Sequence, residues 1–156
     1  FFKKKKNIKI LEIGGGLGRT AFYCYKFGLR DYTLVDLRIP LLCQFNYLSR
    51  ALSEKSINFN QNNKNKINLI SPDILFKQNK KYDLVFNSDS FTEIDFLNQK
   101  KYVEYIKKNS KYFYSINHES NKNTVRDLLS FKNVKNLSRN PYWLRKGYLE
   151  EVFKID

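Results

Sequence analysis

A short stretch near the start of the chain combines an apolar run with a cluster of glycines. Residues 8–18 read IKILEIGGGLG, and four of the chain's six glycines lie there. The apolar run predicts a strand buried on both faces of a parallel sheet, with Glu12 interrupting it one residue before its end. Glycine permits a positive φ and leaves no Cβ between the backbone and a ligand. A strand, a glycine turn and a helix N-terminus therefore predict a pocket of backbone N–H groups, which suits a nucleotide or nucleoside cofactor.

The spacing of these glycines excludes the dinucleotide-binding fingerprint G-x-G-x-x-G. If Gly14 and Gly16 supplied its first two glycines, the third would stand where the chain has Arg19. The stretch reads E-x-G-x-G-x-G instead. A tight turn without a ligand is the alternative interpretation, but four glycines and a carboxylate on a buried strand are costly without a use.

The E-x-G-x-G-x-G pattern resembles the first motif of S-adenosylmethionine-dependent methyltransferases with a Rossmann-like fold. It is formed here by Glu12, Gly14, Gly16 and Gly18. The resemblance implies that Glu12 helps to hold the methionine amine of the cofactor. It also implies that these glycines, with Gly15 among them, let the backbone approach the cofactor.

Acidic residues follow the next two predicted strands of the sheet. Asp36 ends the second strand, where folds of this kind bind the ribose hydroxyls, and Leu37 lies beside it as a further cofactor contact. In the resembling superfamily, an acid after the third strand contacts the adenine amino group and an apolar neighbour lies against the ring. Asp73 and Ile74 match those two positions. The alternative for both acids is an ordinary turn residue.

A second polar cluster is predicted where the fourth and fifth strands end. Asn87, Asp89 and Glu93 follow the fourth strand, and His118, the only histidine, follows the fifth. Because ligands bind outside the carboxyl ends of parallel strands, this cluster should face the transferred methyl group, with Asn87 near the cofactor. A hydroxyl acceptor must lose its proton as it attacks. We therefore identify His118, Asp89 and Glu93 as catalytic candidates, and a surface histidine without a role is the alternative for His118.

The elements that must position these residues alternate between strands and helices. Strands are predicted at residues 8–13, 32–35, 67–70, 82–86, 112–116, 131–137 and 148–155, and helices at 17–27, 40–52, from about 95 and at 121–129, with a polar connection at 56–66. This order predicts an α/β fold. We expect a Rossmann-like three-layer sandwich with a mostly parallel seven-stranded sheet whose last strand is antiparallel.

Further segments resemble a narrower group, the bacterial sugar O-methyltransferase family. They read EIGGGLGRTAFY, TLVDL, QFNYLSRAL, NSDSFTEID and KYFYSINHE, with a weaker echo in NPYWLRKGYLEE. The NSDSFTEI and YFYSIN segments are the more family-specific pieces. The family is often associated with surface polysaccharide synthesis, so the resemblance implies a small-molecule or glycan substrate with a sugar hydroxyl as the methyl acceptor.

The formal net charge of +14 favours a nucleic-acid partner as a rival interpretation. Apart from residues 3–6, however, the lysines are spread along a chain rich in Asn, Ile, Phe and Tyr, a composition that an AT-rich genome imposes. Nucleic-acid enzymes of this superfamily that methylate amino groups commonly show Asn or Asp, Pro-Pro and an aromatic residue after the fourth strand. The NSDSF segment at residues 87–91 has no proline. We therefore place an RNA methyltransferase second, and a cofactor-binding module without catalysis third.

Length and composition are those of one globular domain over residues 1–156, with 42% hydrophobic residues. No apolar run approaches the ~18 residues of a membrane span. Cys24 and Cys43 stand outside any spacing motif, which predicts buried thiols, no metal site and a reducing cytoplasm. The chain has no Met and begins close to its first strand, so we expect it to be part of a longer protein.

Overall fold

The structure is a computed structural model that describes residues 7–61, 63–120 and 123–156. Its strands are β1 Lys9–Ile13, β2 Asp31–Val35, β3 Ile57–Phe59, β4 Ile67–Ile70, β5 Tyr82–Ser88, β6 Ser110–His118, β7 Val134–Pro141 and β8 Tyr148–Ile155. Its helices are α1 Arg19–Lys26, α2 Arg38–Ala51, α3 Pro72–Phe76, α4 Phe96–Asn109 and α5 Val125–Leu128. The lysine run at residues 3–6 and the first part of the helix predicted at 121–129 lie outside the described residues.

The strands form one sheet in the order β3-β4-β2-β1-β5-β6-β8-β7. All neighbouring pairs are parallel except those of β8, which runs antiparallel to both β6 and β7. The chain adds strands on one side of β1 as far as β3, and then crosses to the other side at β5. The crevice outside the carboxyl ends of β1, β2 and β5 is therefore the topological switch point, where open α/β sheets bind ligands.

The prediction of seven strands is wrong by one, because the described residues form eight. The additional strand, Ile57–Phe59, lies inside the stretch that was predicted to be a polar connection. It pairs in parallel with β4, and Ile57 is buried at the sheet edge. Three residues are too few to give a period-2 pattern, so the strand depends on pairing with β4 rather than on a local signal. The other predicted strands and the antiparallel last strand are present.

Helices cover both faces of the sheet, which gives the predicted three layers. On one face α1 and α2 pack on a cluster that includes Ile10, Leu34 and Leu69. On the other face α3, α4 and α5 pack on a cluster that includes Leu11 and Phe113. Successive residues of β1 therefore enter opposite cores, as the uninterrupted apolar run predicts. No helix in the described part of the chain combines the length and apolarity needed to cross a membrane.

The buried face of α2 contains one polar residue. Leu41 and Leu48 are buried and Phe45 and Leu52 pack against the same cluster, whereas Leu42 is more than half exposed. Gln44, on the buried face, is fully buried. The two cysteines are free thiols, but the prediction that both are buried is wrong, because Cys24 is half-buried and Cys43 on this helix is exposed. A buried glutamine in a helix that packs on the sheet requires polar partners, and these lie at the switch point.

Candidate functional site

The turn between β1 and α1 exposes backbone to an open cleft. Gly14 and Gly16 both have positive φ, at 70° and 55°. A Cβ on Gly14 would lie 2.1 Å from the hydroxyl oxygen of Ser90, so only glycine allows the end of β5 to pack against this turn. A Cβ on Gly16 would meet nothing within 4 Å. Gly16 therefore presents bare backbone to free space, which is the arrangement that close approach of a ligand requires.

Glu12 is buried beneath this turn, with only 3% of its surface exposed. Its Oε2 accepts a hydrogen bond from the hydroxyl of Tyr32 at 2.8 Å. Burial raises the pKa of Glu12 from 4.5 to about 7, against the opposing effect of hydrogen bonds from Tyr32 and Thr20. A carboxylate poised near neutrality under a ligand cleft is suited to binding a cationic group.

Asp36 directly follows β2 and lines the same cleft as Glu12 and the glycine turn. Its Oδ1 accepts the N–H of Leu37 at 2.8 Å, and its Oδ2 accepts the side-chain amide of Gln44 at 2.8 Å. Partial burial raises its pKa, although these hydrogen bonds and one from the backbone of Gly15 oppose the effect. The carboxylate is thus held in one orientation while it keeps unused lone pairs.

Gln44 is a site residue that the sequence reasoning missed. Its amide nitrogen donates to both the carbonyl of Gly16, at 3.0 Å, and the carboxylate of Asp36. Its Oε1 is buried and has no hydrogen-bond partner among the residues that the structure describes. Gln44 therefore ties the glycine turn to the end of β2. The available signal was a polar residue at helical spacing between Leu41 and Leu48, inside an apolar face.

Two adjoining cavities line this edge of the sheet. The first, of about 750 Å³, is lined by residues of the glycine turn, the start of α1 and α2, the end of β5 and the β7–β8 turn: Glu12, Gly14, Gly15, Gly16, Leu17, Arg19, Thr20, Asp36, Ile39, Pro40, Cys43, Ser88, Asp89, Ser90 and Arg145. The second, of about 580 Å³, shares Gly14, Asp36 and Ser90 with it and adds Leu37, Asp73, Glu93 and Tyr102 among others. Of the thirteen predicted site residues, nine line one or both cavities.

Four predicted residues line neither cavity. Gly18 begins α1 in the left-handed region, packed against Leu48, and Ile74 packs on a core cluster. Asn87 is fully buried. The amide nitrogen of Asn87 donates to the carbonyl of Ile13 at 2.7 Å and to the Ser90 hydroxyl at 2.6 Å. Asn87 thus joins the ends of β1 and β5 behind the glycine turn.

His118, the fourth of these residues, lies at the end of β6 beside the first cavity. Its Nδ1 lies 3.1 Å from the backbone nitrogen of Ser120 and 2.6 Å from the hydroxyl oxygen of the same residue. In the tautomer in which Nδ1 accepts the backbone N–H, the neutral ring carries its proton on Nε2. The ring packs edge-on against Tyr148 at 4.9 Å between centroids. For His118 to accept a proton at Nε2, the Ser120 N–H would first have to leave Nδ1.

Asp89 is the catalytic candidate that lies in the same cavity as the glycine turn. It has a positive φ of 59°, which is uncommon for a residue with a side chain. Its carboxylate accepts hydrogen bonds from the Tyr148 hydroxyl, at 2.6 Å, and from Arg145. Partial burial alone would raise the pKa of Asp89, but these hydrogen bonds and the charge of Arg145 outweigh it and lower the pKa. The carboxylate is therefore ionised and poorly suited to retain a proton.

Among the described residues, no group of three or more His, Cys, Asp or Glu side chains could hold a metal ion. The polar groups of the cleft are instead carboxylates, a guanidinium and backbone amides. Such a set binds organic ligands that carry amines, hydroxyls and carboxylates.

The fold is one that solved methyltransferases share. The chain aligns over 99% of its length with 90% of the glycopeptide N-methyltransferase MtfA bound to S-adenosylmethionine, at 14% identity and a TM-score of 0.76. It aligns over 96% of its length with 71% of magnesium protoporphyrin IX methyltransferase from Synechocystis PCC 6803, at 11% identity and a TM-score of 0.71. It likewise aligns over 96% of its length with 49% of the mitomycin 7-O-methyltransferase MmcR, at 12% identity and a TM-score of 0.67. No protein-family model and no curated protein matches the sequence.

Proposed function

We propose that the chain is an S-adenosylmethionine-dependent methyltransferase whose acceptor is a sugar hydroxyl. The observation that carries the cofactor assignment is the convergence of Glu12, Gly16 and Asp36 on one cleft at the switch point of the sheet. Glu12 and Gly16 belong to the E-x-G-x-G-x-G motif, and Asp36 is the acid that directly follows β2. The methyltransferase fold of the solved neighbours, two of them bound to the same cofactor, supports the same assignment.

The residues of the cleft fit the parts of this cofactor. Glu12 would pair with the amine, and the bare backbone of Gly16 would lie against the methionine chain. Asp36, held by Gln44, would bind the ribose hydroxyls through its unused lone pairs. Asp73 lines the second cavity with Leu37, on the side where we place the adenine. Gly18, Ile74 and Asn87 support this surface from behind.

The cofactor supplies the activated methyl group, and the chain must hold the acceptor in line with it. Asp89 is the catalytic candidate nearest to the glycine turn, and its ionised carboxylate can accept a hydrogen bond from the acceptor hydroxyl. Glu93 faces the second cavity from the turn after β5. His118 remains a candidate base whose use requires the change at Nδ1 described above. The resemblance of the NSDSFTEI and YFYSIN segments to sugar O-methyltransferases supports a sugar as the acceptor.

One observation favours the RNA alternative. A groove of about 610 Å³ between α3 and α4 is lined by four lysines and only two acids, Asp73 and Glu104. The lysines are Lys77, Lys100, Lys101 and Lys108. None of these four ammonium groups forms an ion pair with the described residues. Clustered cations of this kind attract phosphates, and binding through them weakens as salt rises.

Calorimetry with S-adenosylhomocysteine tests the proposed cofactor. We expect saturable binding by the wild-type chain and about 10- to 150-fold weaker binding by Asp36→Ala, because hydrogen bonds to a charged group contribute about 1.5–3 kcal/mol. Glu54→Ala is the matched control, since it removes one exposed carboxylate outside both cavities. Absence of binding by the folded wild-type chain would exclude the proposal.

Transfer of a labelled methyl group tests the acceptor. Incubation with neutral glycosides, nucleotide sugars and short RNA separates the two candidate functions. We expect label in a glycoside or nucleotide sugar. Labelling of RNA alone would assign the chain to the second function.

A further inference from the structure

The turn between β7 and β8, residues 142–147, reaches the cleft from the far end of the chain. Arg145 lines the same cavity as the glycine turn and forms an ion pair with Asp89. Its guanidinium also lies 4.1 Å from the centre of the Tyr148 ring. Tyr148 donates its hydroxyl to the second oxygen of Asp89 at 2.6 Å. Two contacts, from Arg145 and from Tyr148, therefore converge on the Asp89 carboxylate after β5, and the third holds Arg145 against Tyr148.

The Asp89–Arg145 pair is neutral overall, but it still has hydrogen-bonding capacity. A guanidinium has five N–H donors, and each carboxylate oxygen accepts more than one hydrogen bond. Only one bond joins Arg145 to Asp89, so donors and acceptors remain side by side at the cavity wall. Two neighbouring hydroxyl groups, each both donor and acceptor, match this arrangement. A phosphate matches it poorly, because Asp89 repels a second anion.

An exposed tryptophan precedes this pair in the same turn. Trp143 is 84% exposed and Leu144 is 58% exposed. Trp143 and Leu144 line neither cavity, but they directly precede Arg145, which lines the first one. Because burial of large apolar side chains is favourable, their exposure marks a surface that a ligand can cover. A pyranose ring combines adjacent hydroxyls with an apolar C–H face that can stack on an indole.

We propose that the β7–β8 turn and Asp89 form the acceptor subsite, in which the Asp89–Arg145 pair binds adjacent hydroxyls of a neutral sugar ring and Trp143 stacks on its C–H face. The inference rests on the proposed function and adds to it the residues that select the acceptor. Arg145 and Trp143 are specificity-determining residues in this arrangement. The sugar they select is uncharged at the ring that receives the methyl group.

Trp143 also supplies the measurement, because it is the only tryptophan in the chain. Tryptophan emission of the full chain, saturated with S-adenosylhomocysteine, is followed during titration with methyl glycosides of glucose, mannose, galactose and rhamnose. We expect a saturable change in emission with at least one glycoside. Because the pair is neutral, the affinity should change less than about twofold between about 0.1 M and 0.5 M salt.

Variants of the turn test whether glycoside binding depends on the geometry of Arg145 or only on its positive charge. Arg145→Lys keeps the charge but loses the planar fork, and Arg145→Gln loses both, so we expect each to weaken glycoside binding at least about tenfold. Lys146→Gln, an exposed neighbour, is the control and should bind as the wild type does. Circular dichroism and thermal unfolding verify that all three variants are folded, and Lys146→Gln, which lines neither cavity, should bind S-adenosylhomocysteine as the wild type does.

Three results would overturn the subsite. The first is the absence of any saturable emission change with the four glycosides while S-adenosylhomocysteine binds. The second is equal loss in Lys146→Gln and Arg145→Gln. The third is an emission change that only inorganic phosphate or RNA produces and that high salt removes. Failure of S-adenosylhomocysteine to bind the wild-type chain is a different result, which excludes the proposed function itself.

Discussion

The charge state of Glu12 links cofactor binding to pH. Its carboxyl group has a pKa of about 7 in the free protein, because burial disfavours the ionised form. An ammonium group can pair only with the ionised form. We therefore expect the affinity for S-adenosylhomocysteine to be constant above about pH 8 and to fall by up to about tenfold per pH unit below pH 7. Calorimetry from pH 5.5 to 8.5 measures this, and an affinity that is flat across that range would contradict it.

The same residue should make the free protein less stable. Since the folded-state pKa is raised, Glu12 contributes stability below about pH 4.5, and that contribution is lost as the pH rises through 7. At pH 8 the buried carboxylate costs free energy. We expect Glu12→Gln to raise the free energy of unfolding at pH 8 by about 1–3 kcal/mol while it weakens cofactor binding. Urea unfolding at pH 8 and pH 5 tests this, and a gain of the same size at both pH values would exclude the carboxylate as its cause.

A substitution at Gln44 should weaken cofactor binding while it leaves the stability of the fold nearly unchanged. Replacing it with Leu removes a buried amide oxygen that has no partner, so the free energy of unfolding should change by less than about 1 kcal/mol. The substitution also releases the Gly16 carbonyl and the Asp36 carboxylate from each other. We expect at least about tenfold weaker binding of S-adenosylhomocysteine. Leu48→Ala on the same helix is the contrasting variant, because it should lose about 2–5 kcal/mol of stability as a buried leucine.

At the scale of elements, two glycines with similar backbone conformations have different surroundings. Gly147 in the β7–β8 turn and Gly28 after α1 have φ values of 83° and 87°. A Cβ on Gly147 would lie 2.5 Å from Nε2 of His118, whereas a Cβ on Gly28 would meet nothing within 4 Å. We expect Gly28→Ala to cost about 1 kcal/mol and Gly147→Ala about 1–2 kcal/mol more. Thermal unfolding of the two variants compares them, and equal losses would mean that His118 yields without strain.

The elements that the sequence predicted best are those with a strong local pattern. The apolar run of β1 and the glycine turn after it are where the spacing placed them. The pattern did not predict β3 or the buried Gln44 on α2. A three-residue edge strand is formed by pairing with its neighbour, and the burial of Gln44 depends on its distant polar partners Gly16 and Asp36. Neither cause acts within one window of sequence.

At the scale of the whole molecule, the proposed cofactor should stabilise the fold. A ligand at 100 times its dissociation constant adds about 2.7 kcal/mol, which corresponds to a rise of about 5–10 °C in the melting temperature of a domain of this size. Differential scanning fluorimetry with S-adenosylhomocysteine measures the rise. Adenosine alone should give a smaller shift, because it lacks the amine that we place at Glu12. Equal shifts for the two ligands would contradict the assignment of Glu12.

The sequence by itself determined most of the strands and helices and the position of the glycine turn, although it predicted neither β3 nor the short helix α3. Both follow from local physics. A period of 2 in apolar residues favours a strand, a period of 3.6 favours a helix, and glycine adopts a positive φ at little cost. It also placed Asp36 and Asp89 at strand ends, because the carboxyl ends of parallel strands share one edge.

Only the tertiary structure decided what those residues contact. Asp89 and Arg145 are 56 positions apart in the chain, and their ion pair exists because β8 returns antiparallel beside β6. Asn87, predicted to face the cofactor, is occupied by neighbouring backbone and side chains. The glycine turn at residues 14–18 therefore indicates the cofactor, whereas the turn at residues 142–147 forms the wall where we place the acceptor. Long-range contacts of this kind depend on the packing of distant strands, and no local pattern records them.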